Sequence, residues 1–113
     1  MGAKVRHVVL FSFTAGAPTE EIVRAFDELV QQLGELVLEY ERGVQCSEEG
    51  LHKGTTHAFM LTFGSLQARD EYVPHPLHAK FVDTWVKPYV DQVVVSDYEV
   101  LRPLAAGTPE QHT

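Results

Sequence analysis

The run KVRHVVLFSF, residues 4–13, reads as a β-strand that is apolar on both faces. His7, Val9, Phe11 and Phe13 alternate with Val8, Leu10 and Ser12, and both sets are largely apolar. Such a strand belongs in a sheet that is covered on two sides, because side chains alternate across the sheet. A second run near the other end, QVVVSDYEV (Gln92–Val100), has the same two-faced character. Whatever this 113-residue chain folds into must bury both faces of these strands, and a domain of this size has only a modest core to do it with.

The segments between them supply one covering layer. TAGAPT has turn chemistry, and Thr19 is expected to cap a helix with Glu20 and Glu21 in its first turn. Ile22, Phe26, Leu29, Val30 and Leu33 then fall at helical spacing, with Gly34 as the stop. A second strand is expected within Leu36 to Gln45 and a third over Thr55 to Phe63, joined by the polar loop CSEEGLHKG. Ser65 should cap a second helix that Pro74 breaks, with Val73 pushed out of the α region. His75 is then placed as a cap and Pro76 at the first position of a resumed helix, which Lys87-Pro88 ends. On it, His78, Phe81, Val82 and Trp85 form one apolar face with a histidine at its head.

The resulting order, β-α-β-β-α-β, is that of an α+β ferredoxin-like protomer, whose helices cover only one face of a four-stranded sheet. The uncovered apolar face implies a homodimer packed sheet to sheet. The domain is expected over residues 1–102, with a Pro/Gly/Thr-rich tail, 103–113, that is flexible.

Charge and cysteine content narrow the function classes. A net charge of −7 without a basic cluster repels a phosphate backbone and an anionic lipid surface, so neither nucleic acid nor a membrane is expected as partner. Cys46 is the one cysteine, which excludes an intrachain disulfide and a Cys-based zinc site and suits a reducing, cytoplasmic setting. No run is apolar for long enough to span a bilayer, and no phosphate loop, nucleophile elbow or dinucleotide fingerprint occurs.

The six histidines are the distinctive chemistry. His7 and His57 each begin the core-facing set of a strand, and their strands are neighbours in a ferredoxin-like sheet, so the two imidazoles are expected side by side. His78 heads the helix face that packs on that sheet, and the proline break can bring Tyr72 toward it. A single histidine on an apolar face is commonly a satisfied core residue, and a half-buried tyrosine commonly keeps its hydroxyl in water. Four such groups converging on one apolar cavity form a proton-transfer set instead: an imidazole as general base, a phenol as donor to a developing enolate. His7, His57 and His78 also allow a three-histidine metal site, but no carboxylate is obviously placed to support it, and no metal is expected.

The motifs HVVLFSF, EGLHKGTTH, HPLHAKF and VVVSDYEV, in this order over Arg6 to Val100, resemble the stress-responsive dimeric α/β-barrel (Dabb) family. That resemblance implies ferredoxin-like protomers paired into a dimeric barrel. One catalytic member, a cofactor-free plant polyketide cyclase, works with a histidine in a His-Pro-x-His segment and a tyrosine six residues before it; these match His78 and Tyr72. Its two supporting pocket histidines match His7 and His57. It carries a tyrosine on the first helix where this chain offers Phe26, so the pocket wall is expected to differ and the plant substrate does not carry over.

The expectation is a cofactor-independent cyclase or lyase doing aldol-type acid–base chemistry on a small polyketide-like or β-keto molecule. His78 is the base, Tyr72 the enolate stabiliser, His7 and His57 orient polar groups, and Phe26, Phe59, Phe81 and Trp85 line the apolar part. A non-catalytic stress-response or small-ligand-binding dimer is the alternative, and a haem- or quinone-processing monooxygenase of the dimeric-barrel type a further one. No cofactor is expected for the leading reading.

Overall fold

The computed structural model describes residues 2–101 and has the expected β-α-β-β-α-β order, with the second helical connection broken into pieces. β1 is Val5–Phe13, α1 Thr19–Gln32, β2 Val37–Val44 and β3 His57–Phe63. The second connection runs through α2 (Leu66–Tyr72), α3 (Pro76–Phe81), a π-helical turn (Val82–Val86) and the single turn α4 (Lys87–Tyr89) before β4, Val90–Glu99. The four strands form one antiparallel sheet in the order β2-β3-β1-β4. The fold is ferredoxin-like. The proposed tail at 103–113, with His112, lies outside the described residues.

One side of the sheet carries the core. Val5, Val9 and Phe11 of β1 alternate inward with Phe59, Leu61 and Phe63 of β3, beneath Phe26, Leu29 and Val30 from α1 and its C-cap residue Leu33. Phe26 stacks on Phe59 with ring centroids 4.4 Å apart and planes 10° from parallel. The opposite face presents Val8, Leu10, Met60, Val94 and Tyr98, and no described helix covers it.

Local details depart from the sequence expectations. Pro18, not Thr19, stands at the cap of α1; the Thr19 hydroxyl turns back to the Ala17 carbonyl and the helix begins without a side-chain cap. Ser65 does cap α2, accepting from the Ala68 amide at 3.1 Å. Val73 keeps helical dihedrals (φ −59°, ψ −46°) because its N–H completes the helix to the Arg69 carbonyl. The reversal falls instead at His75 (φ −59°, ψ 137°), which itself precedes a proline and takes the extended conformation that this position favours. The His75 imidazole then accepts from the Leu77 amide at 3.1 Å and caps α3.

The π-helical turn has the largest consequence. It places an extra residue in one turn and so rotates everything after it about the helix axis. The face expected to read His78, Phe81, Val82, Trp85 reads His78, Phe81, Val82, Val86. Trp85 is turned to the other side, where it packs near Tyr89 and over Leu29 and Phe81 on the outside of the helical layer.

Candidate active site

The helical layer is narrower than the sheet beneath it. α1 and α3 sit over β2, β3 and β1, while the inward residues of the edge strand, Val93 and Val95, stay 53% and 56% exposed. The gap between β1 and β4 below and α2, α3 and the π-helical turn above is a cavity of about 640 Å³, a size suited to a small organic molecule. Val9, Phe11, Phe26, Phe81, Val82, Val86, Val93 and Val95 make its walls apolar, and Tyr72, His78, His7, Asp97, Arg69 and Asp70 are its polar groups.

Tyr72 closes α2 and His78 lies on α3, six residues on and across the proline reversal. Their rings meet with centroids 4.7 Å apart, and the Tyr72 ring also lies 5.7 Å from that of His7 and 5.2 Å from that of Phe63. Tyr72 is only 1% exposed, and its hydroxyl has no hydrogen-bond partner among the described residues, leaving it available to something in the cavity. Burial pushes the Tyr72 phenol well above the usual tyrosine range, so it stays protonated and is a hydrogen-bond donor at neutral pH. Burial lowers the His78 imidazole below its ordinary value; the Val73 carbonyl opposes the shift, and the neighbouring His7 and His75 add to it. A neutral imidazole is the form that accepts a proton.

His7 is fixed from behind. Its Nδ1 lies 2.6 Å from Oδ1 of Asp97, which stands directly opposite it in the β1–β4 ladder. The second Asp97 oxygen accepts from Arg69 Nη1 at 2.8 Å. An ionised carboxylate only accepts, so Nδ1 is the nitrogen that carries the proton of this contact. Asp97 and Arg69 were not among the candidates from the sequence. The signal that finds Asp97 is strand parity: Val93, Val95 and Asp97 share the face of β4 that the register sets against Phe11, Val9 and His7.

His57 is not part of this site. The register pairs it with Phe11, while His7 pairs with Leu61, so the two imidazoles stand four residues, roughly 13 Å, apart along the sheet. His57 instead borders a separate polar hollow beside Asp27 and Arg42, against Phe13. There Asp27 accepts from the Tyr40 hydroxyl and from two nitrogens of Arg42, a clamp between α1 and β2. Trp85 also lies outside the cavity, for the helical reason given above. Phe26 and Phe81 line the cavity directly, and Phe59 supports Phe26 from beneath. No group of three or more His, Cys, Asp or Glu among the described residues is arranged to hold a metal ion. No described helix is long and apolar enough to cross a membrane.

A four-stranded sheet with one helical layer, holding a mostly apolar cavity with a Tyr/His pair, defines a ferredoxin-like domain with a candidate acid–base site among its described residues. The family model of the stress responsive A/B barrel domain matches residues 5–100, and the chain belongs to that family. It is 37% identical over 98 residues to the stress-response A/B barrel domain-containing protein HS1 of Arabidopsis thaliana, covering 84% of this chain and 88% of that protein. It is 25% identical over 97 residues to olivetolic acid cyclase of Cannabis sativa, covering 83% of this chain and 94% of that protein. Among solved structures, a dimeric ferredoxin-like protein of unknown function from Jannaschia sp. CCS1 superposes with a TM-score of 0.74 at 23% identity, over 86% of this chain and 99% of that one.

Because Asp97 alone fixes the His7 ring nitrogen, Asp97→Ala should release the Nδ1–H form. Long-range ¹H–¹⁵N spectra should show His7 as the Nδ1–H tautomer in the parent protein and mixed or inverted in the variant. An Nε2–H tautomer in the parent would refute this account of the pair.

Proposed function

We propose that the chain is a cofactor-independent acid–base catalyst, a cyclase or lyase, acting on a small polyketide-like or β-keto molecule held in the cavity. The observation that carries this is the contact of half-buried His78, whose imidazole is held below its ordinary value by burial, with buried Tyr72, whose hydroxyl has no hydrogen-bond partner among the described residues. His78 takes the acidic proton between two carbonyls, leaving an enolate. The Tyr72 hydroxyl donates a hydrogen bond to the enolate oxygen, or to the carbonyl that the enolate carbon attacks. In a ring closure, that carbon forms the new C–C bond to a second carbonyl carbon of the same chain, and the proton on His78 returns to the resulting alkoxide. His7, held by Asp97, orients a hydroxyl or enol of the substrate. The likeness to olivetolic acid cyclase supports this reading, and the likeness to HS1 supports a second one, in which the same cavity holds a ligand without turning it over.

Proton abstraction separates the two readings. In D₂O, the protein should speed exchange of the C2 protons of an acetoacetyl thioester above the buffer rate, followed by ¹H NMR. His78→Ala should lower the catalysed rate by about 10²- to 10⁴-fold and Tyr72→Phe by about 10²-fold, with circular dichroism unchanged. No acceleration by the parent protein, or full acceleration by folded His78→Ala, would contradict the catalytic reading.

The same proposal includes a homodimer through the open sheet face, on the strength of exposed Val94 and Tyr98 there and of dimeric structural neighbours. Light scattering should give twice the 12.7 kDa chain mass, and Val94→Glu should shift it to the monomer. A monomeric parent protein would overturn this part.

A further inference from the structure

Arg69 is the one guanidinium or ammonium among the residues lining an otherwise apolar cavity. It is held in place from two sides, and the two holds differ in kind. Nη1 donates to Asp97, whose other oxygen is already engaged by His7, so this carboxylate is committed to the wall. Nε donates at 2.8 Å to Asp70, the next residue in the chain, whose side chain is 65% exposed against 25% for Arg69. An ion pair this open to water contributes little and exchanges readily. Nη2 has no hydrogen-bond partner among the described residues.

We propose that Arg69 is a carboxylate anchor, and that the ligand of this cavity is a small amphipathic carboxylic acid. The acid head pairs with the Nε and Nη2 donors, taking the place of Asp70. The apolar body runs past Tyr72 and His78 along Val9 and Val95 toward Phe11 and Val93. A guanidinium presents a planar fork of donors that matches a carboxylate two bonds at a time, and Asp97 fixes the orientation of this one in advance. Asp97 balances the guanidinium charge in the empty cavity, so the positive group is not left unpaired in an apolar setting. This inference rests on the cavity being the working site and deepens that reading by naming the group that binds at the Asp97 and His7 end of it.

The test is calorimetric titration at pH 7 and low salt with two probes of one shape, 4-phenylbutyrate and its neutral amide. The parent protein should bind the acid at least about tenfold more tightly than the amide. Arg69→Met should remove that preference, weakening the acid far more than the amide. Asp70→Asn, which keeps Arg69 and its tie to Asp97, should tighten the acid severalfold and keep the proposal testable if Arg69→Met fails to fold. Equal affinity for the two probes, a preference that survives in Arg69→Met, or binding of neither probe would overturn it. No turnover is involved, so failure here leaves the His78 assignment standing, and failure of proton exchange leaves this one standing.

Discussion

The mismatch in width between sheet and helical layer is the constraint on which the rest depends. Four strands present more inward surface than α1 and α3 cover, and the shortfall falls over β1 and the edge strand β4. A gap there is lined by inward strand residues and by whatever the helices aim across it. Desolvation then does the chemical tuning: the same burial that raises the Tyr72 phenol lowers the His78 imidazole, leaving a donor and an acceptor in contact at neutral pH. Neither group needs a cofactor to reach that state.

The two proline-directed features of the second helical connection place the pair. Pro74 and Pro76 bracket His75, and the extended backbone at His75 turns the chain so that Tyr72 at the end of α2 and His78 on α3 meet. Capping by the His75 ring keeps α3 starting at Pro76, which fixes the depth of His78. Beyond it, the π-helical turn moves Trp85 out and Val86 in, replacing a large aromatic ring with a branched aliphatic side chain and leaving room in the cavity. On the sheet side, the β1–β4 register sets Asp97 against His7 and so determines which nitrogen of His7 faces the cavity.

How far the sequence shows this follows from what each feature depends on. Element order depends on local pattern, and the run from Val5 to Glu99 reads as β-α-β-β-α-β without help. The approach of Tyr72 to His78 is also legible, because two prolines in three residues confine the chain path. His57 was expected beside His7 since both begin inward sets on adjacent strands; antiparallel pairing runs those starts to opposite ends of the ladder, and only the register says so. Asp97 was overlooked for the same reason, since its partner lies ninety residues away in sequence. Trp85 fits a 3.6-residue period well, and nothing in VDTWV announces a π-helical turn.

The account stands most directly on the charge state of His78 in the empty cavity. A ¹H–¹³C NMR titration of the six histidine Cε1–H resonances, with His78 assigned by comparison with His78→Ala, measures it. The account predicts a midpoint for His78 below the ordinary value of 6.5, so that protonation is taken up only as pH falls beneath that value. The neutral base is then dominant at pH 7. A midpoint at or above 6.5 would show an imidazole that burial does not hold neutral, and would contradict the central claim.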